Sequence, residues 1–205
     1  MSGQINRDYG PGRNEMKIFI VAIIFILVAG GFLACSTKSN EIMISSETNF
    51  KIYEIAADAQ SEYRYEIYDK NGDVVKNEIT SRYPNICYMH DGTLLSINIG
   101  VGTGISLTQF YDINRNIFSE LFFSVVSEGQ GNIIHMTVLD DTIRLVVRDI
   151  FDKSKLYKEF ELDFSPVANP VDAIISVDFL DENVFEISYL SGEDYIAKTR
   201  VFEIN

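Results

Sequence analysis

An all-β fold is predicted for most of this chain, on three observations. From Phe50 onward, short runs of β-branched and aromatic residues alternate with turn signals at close spacing, the pattern of antiparallel sheet. Helical periodicity is nearly absent over the same stretch. Strand-turn-strand units also recur: residues 86–97, 134–145 and 175–187 each set an acidic tight turn between two apolar runs. These turns begin at Asp91, Asp140 and Asp181, a repeat close to the roughly 40–50 residues of a propeller blade.

Element by element, Glu62–Tyr68 alternates sides, with Tyr63, Tyr65 and Ile67 on one face and Glu62, Arg64 and Glu66 on the other. Asn71-Gly72 follows and leads into Val74-Val75. An Asn-Gly pair between such runs predicts a hairpin with a type I′ turn, whose two central residues take positive φ. Further strands are expected near 50–56, 86–90, 93–99, 105–111, 116–123, 133–139, 142–149, 155–162, 173–180, 183–190 and 194–204. Phe164–Pro170 carries two prolines and reads as an ordered crossover between sheets. About a dozen strands in an antiparallel meander result, arranged either as blade-like, propeller-related sheets or as a sandwich or barrel.

Composition narrows the function classes. The 205 residues carry 17 Lys and Arg against 30 Asp and Glu, for a net charge of −13. That balance opposes binding to a phosphate backbone, so nucleic acid is not an expected partner. Two cysteines and two histidines are too few for a disulfide framework or a Cys/His zinc site.

The amino terminus has a separate character. Ile18–Ala34 is a run of 17 residues without a charge, flanked by Lys17 and Lys38, and it reads as a signal or anchor helix. It ends in Phe32-Leu33-Ala34-Cys35 and passes at once into the polar Ser36-Thr37-Lys38-Ser39-Asn40. This junction resembles the lipobox of bacterial lipoproteins. The resemblance implies that Cys35 is the lipidation site, acylated on its thiol and left as the first residue after leader removal. It also implies attachment to the bacterial cell membrane, with the remainder of the chain extracytoplasmic. Met16-Lys17 directly precedes the apolar run, so Met16 is the expected true start. The alternative is an uncleaved signal anchor, with Arg7, Arg13 and Lys17 retained in the cytoplasm. The expected organisation is thus a signal peptide over 1–34, a lipidated cysteine and tether over 35–49 with a short strand at 42–44, and an all-β domain over 50–205.

Motifs that carry chemistry are sparse. Asp69-Lys70-Asn71-Gly72-Asp73 has the first oxygen spacings of a calcium loop, but its glycine comes one place early and Thr80 stands where a bidentate Glu is needed. No metal site is expected. Gly100-Val101-Gly102-Thr103-Gly104 lacks the helix that a phosphate loop opens, so a strand connection or bulge is expected and no nucleotide cofactor. His90 and His135 have no Gly-x-Ser-x-Gly partner and read as structural. Cys87, in an apolar run, is expected as a buried inert thiol. The acidic pairs Asp140-Asp141, Asp181-Glu182 and Glu193-Asp194 fall at hairpin tips as turn formers. Among the aromatic residues, Tyr63, Tyr65, Tyr68, Phe110 and Tyr111 are the candidates for a ligand-binding face that could meet an envelope protein or a glycan. No catalytic residue is assigned. The expected function is a tethered, non-enzymatic binding or interaction module; the alternative is an envelope hydrolase acting on glycans through paired carboxylates.

Overall fold

The structure, a computed structural model, describes residues 41–205 except 57–59, 103–104, 130, 140–141, 153, 156, 168–169 and 205. The signal or anchor helix and Cys35 lie outside the described residues. Among the described residues the body is all-β, with sixteen strands in four antiparallel sheets, none closed into a barrel.

The first sheet is a meander of β1 (Glu41–Ser46), β2 (Phe50–Ile55), β3 (Glu62–Tyr68) and β4 (Val74–Thr80). Strand β1 pairs with β2, so residues 41–49, expected as tether, form part of the body. The hairpin between β3 and β4 forms where Asn71-Gly72 predicts it, but its turn is not type I′. Only Gly72 takes positive φ, at 86°, and its N–H donates to the Asp69 carbonyl. The Asp69 carboxylate accepts from the Asn71 and Asp73 amides at 2.8 and 3.0 Å, fixing a longer loop that a register shift absorbs. That side-chain competition for backbone N–H groups is what displaces the two-residue turn.

The second sheet contains β5 (Pro84–Met89), β6 (Leu94–Gly102), β7 (Ile105–Asp112), β8 (Ile117–Phe118) and β9 (Phe122–Phe123). The last two replace the single strand expected over 116–123; both pair with β7. Of the glycine-rich stretch, Gly100-Val101-Gly102 forms the end of β6, with a register shift between Gly100 and Gly102. The third sheet runs β10 (Val125–Gly129), β11 (Asn132–Leu139), β12 (Thr142–Asp149) and β13 (Tyr157–Glu161). The fourth has three strands, β14 (Ile174–Asp181), β15 (Val184–Ser191) and β16 (Ile196–Glu203). The Phe164–Pro170 segment connects the third sheet to the fourth, and Phe164 bridges to Ser191.

Three apolar layers join these sheets in chain order, which favours the blade-like arrangement over a two-sheet sandwich. Phe50, Ile52, Tyr65 and Ile67 of the first sheet pack with Ile86, Leu95, Ile97 and Tyr111 of the second. Leu94, Phe110 and Phe122 face Ile133 and Ile150 of the third. Ile134, Met136, Leu145 and Val147 then meet Val177, Phe185, Ile187 and Tyr189 of the fourth. Period-two alternation explains the split: Ile133 and Ile134 point to opposite faces of β11, and each face has its own sheet to cover it. Asn49 stitches the first two sheets together, its amide donating to the Tyr88 hydroxyl at 3.0 Å and its side chain to the Tyr68 carbonyl at 3.1 Å. Gly129 lets the third sheet approach the fourth, because a Cβ there would lie 2.9 Å from the Phe179 ring.

Phe185 is fully buried and stacks on Phe202 at 5.2 Å while meeting the Phe160 ring edge-on at 5.3 Å. Phe185→Ala should lower stability by about 3–5 kcal/mol in denaturant unfolding. Val201→Ala, on the exposed side of the same sheet, should change it by no more than about 0.5 kcal/mol.

Candidate functional site

Titratable groups collect between the second and third sheets. The apolar layer there is the smallest of the three and is flanked by buried or half-buried polar side chains. Strand β11 turns His135 toward the second sheet, since the neighbouring Ile134 and Met136 face the fourth. The imidazole packs against Phe122 at 5.8 Å, and neither ring nitrogen has a hydrogen-bond partner. Burial, supported by the Arg148 guanidinium, pushes its pKa below the usual value. Arg148 reaches across from β12 to pair with Glu120 and lies over the Phe122 ring at 5.2 Å. From the second sheet Asn98 donates to the Thr108 hydroxyl at 2.9 Å, and Thr108 is itself buried.

At the loop end of this seam a cleft of about 480 Å³ opens between the turns of both sheets. Leu94 and Ile150 contribute buried apolar surface, and Arg115, Lys155 and His90 supply cationic or titratable edges. The Arg115 guanidinium pairs with Asp112 at 2.6 Å and covers the Phe151 ring at 4.4 Å. Asp149 accepts the amides of Phe151 and Asp152 at 2.8 and 2.7 Å, and Asp152 accepts the Ser154 amide and hydroxyl. These carboxylates therefore organise the loops that wall the cleft. His90 sits in a turn at a φ of 45° and joins the two sheets through Nε2 to Glu128, 2.7 Å away.

The five aromatic candidates do not form one face. Tyr65, Phe110 and Tyr111 are core residues, at most 1% exposed, and Phe110 and Tyr111 point into different layers. Only the hydroxyls of the two tyrosines find polar partners, Glu78 for Tyr65 and Asn116 for Tyr111. Tyr63 is half-buried and meets Tyr83 edge-on at 5.6 Å. Tyr68 lies on the opposite face of the first sheet, where its hydroxyl donates to Glu66; burial, then that carboxylate, push the phenol up. Glu66 also pairs with Arg64, which stacks on Tyr53 at 4.0 Å and makes a bidentate bond to Glu41.

Cys87 is exposed rather than buried: β5 gives Ile86 to the first layer, and Cys87, on the same face as Ser96 and Phe110, lies at the sheet edge beyond the cover of the second layer. Desolvation by its immediate neighbours, with the Glu128 carboxylate second, pushes the thiol up, so its nucleophilic thiolate form is disfavoured.

A glycosidase needs a carboxyl raised into the proton-donor range and a second carboxylate within about 5–9.5 Å. Against a desolvation penalty, the Arg115 amide and guanidinium hold Asp112 below the usual carboxylate range, and Ser154 does the same for Asp152. The Asp181-Glu182 and Glu193-Asp194 turns sit at opposite ends of β15, about 23 Å apart at strand spacing. Asp140-Asp141 lies outside the described residues. Among the described residues no cluster of three or more His, Cys, Asp or Glu is placed to hold a metal ion. Sequence reading missed the His90–Glu128 pair and the Arg115–Phe151 contact. They join residues 38 and 36 positions apart, a pairing that no local spacing signals.

No protein-family model matches the chain, and no curated protein matches it either.

The buried imidazole has a pH signature. An unfolded histidine takes up its proton near pH 6.5, whereas folded His135 resists doing so until lower pH. Its contribution to stability is present above about pH 6.5 and is lost as pH falls toward the depressed folded value. His135→Phe should therefore flatten the decline in unfolding free energy between about pH 7 and 5, measured by urea titration at each pH.

Proposed function

We propose that the chain is a membrane-anchored extracytoplasmic lipoprotein whose β body acts as a non-enzymatic binding or interaction module. The observation that carries this reading is the uncharged Ile18–Ala34 run ending directly at Cys35, followed by a polar segment. Residues 36–205 then stand outside the cytoplasm, held by acyl chains whose burial contributes about 0.8 kcal/mol per methylene. Among the described residues no helix is long and apolar enough to cross a membrane, so anchoring in this reading falls to the segment before Glu41.

Two features of the body support a binding role over hydrolysis. The cleft between the second and third sheets combines apolar surface with charged edges, the composition of a recognition site. Its carboxylates are committed to backbone amides, Ser154 and Arg115, and those whose pKa is shifted are shifted toward the ionised form. A proton-donating partner for hydrolysis is not among them. The ligand class in this reading is an envelope protein or a glycan.

Cys35→Ala tests the anchor. In cells fed a radiolabelled fatty acid, the unaltered protein should take up label and run as a shortened mature form. The variant should take up none and persist at precursor length; labelling equal to the unaltered protein would overturn the assignment.

A further inference from the structure

We infer that the end of the body where β1 begins docks on the lipid surface, with Val101, Ile105 and Phe123 as its membrane-facing contacts. This rests on the membrane attachment proposed above and adds an orientation to it. Strand pairing establishes which residues share that end. Glu41 pairs with Ile55, Ile55 with Glu62, and Tyr63 with Thr80, so the start of β1 and the end of β4 lie together. Three residues lead from Thr80 to Pro84, which pairs with Ile99; Ile99 pairs with Leu107 and Leu107 with Phe123. Lys76 confirms that the two sheets run in step, since its ammonium reaches Gln109 at 2.6 Å, in the middle of β7. The opposite end of both sheets is marked by the Asn49–Tyr88 bonds.

The shared end is apolar out of proportion to an acidic protein. Tyr83, Val101, Ile105 and Phe123 are each 47–53% exposed, and Ile42 at the start of β1 is 59% exposed. Val101, Ile105 and Phe123 lie at the same end of the second sheet as the start of β1 does in the first. Glu41 and Glu78 at this end are paired with Arg64 and Lys76, which reduces the charge that must approach lipid, while Glu62 is exposed. Exposed apolar side chains gathered at one end mark a partner or a membrane. Chain length selects the membrane: five residues separate Cys35 from Glu41, and fully extended they reach only about 20 Å. In both the lipidated and the signal-anchor form, this end therefore stays within that distance of the headgroups. Side chains of this kind settle about 5–10 Å into the boundary between headgroups and acyl chains.

The chain has no tryptophan, so Phe123→Trp supplies a single fluorescent reporter in the full-length protein. The variant is reconstituted into phosphatidylcholine vesicles with or without bromine on the acyl chains, and flotation is measured in parallel. Brominated lipid should reduce its emission by about twofold, a depth-dependent contact expected of an interfacial residue. Phe151→Trp, in the cleft at the other end, should show no such loss. Adding Ile105→Glu to Phe123→Trp should restore most of the emission. Flotation with no quenching at position 123, or with equal quenching at 123 and 151, would overturn the docked orientation while leaving anchoring intact. Failure of the full-length protein to float would overturn anchoring and the orientation together.

Discussion

Burial of both faces of the second and third sheets is the constraint on which the rest of the molecule depends. A sheet with one dry face can be closed by a single partner, but β6, β7, β11 and β12 place apolar side chains on both sides. Phe110 and Tyr111 are adjacent in sequence and fully buried in different layers, one against Phe122 at 6.1 Å and the other stacked on Phe118 at 4.5 Å. Such strands need a sheet before and a sheet after them. The first and fourth sheets meet that need and expose their own outer faces, where the Arg64–Glu41–Glu66 network lies beside exposed Met43 and Ile79 on the first and Val201 is exposed on the fourth.

That arrangement also explains where the polar chemistry lies. Among the described residues the two outer layers hold nine and ten buried residues, many of them aromatic or β-branched, and the central layer holds five. The space left beside those five is taken by His135, Arg148, Asn98 and Thr108, and at the loop end by the cleft. A buried histidine without a partner is costly, because its ring nitrogens lose water and gain no replacement bond. Its neutral form lessens that cost, consistent with the depressed pKa.

Much of the fold was legible in the sequence, and what was missed has physical reasons. Alternation in Glu62–Tyr68 gave the correct face for each residue, because one side meets a core and the other meets solvent. The same alternation did not reveal that Tyr65 is core while Tyr68 is not, since an aromatic ring suits either environment. Strand β10, Val125–Gly129, escaped notice because it is uniformly half-buried and ends in Ser-Glu-Gly, which reads as a turn. Cys87 looked internal because its neighbours Ile86 and Met89 are apolar, yet β5 is an edge strand and at Cys87 the third sheet does not cover it. The cleft was invisible for a different reason: its walls come from four separate turns, and only the stacking of sheets gathers them.

Sheets coupled only to their sequence neighbours behave as a short one-dimensional array, in which cooperativity passes through each interface in turn. Among the described residues the middle interface holds the smallest apolar layer, but backbone hydrogen bonds from Ser124 to Ser106 and from Met136 to Ser124 run across it, beside the His90–Glu128 and Arg148–Glu120 pairs. The cleft opens at this interface, so a ligand seated there touches two sheets at once and its binding free energy stabilises both together.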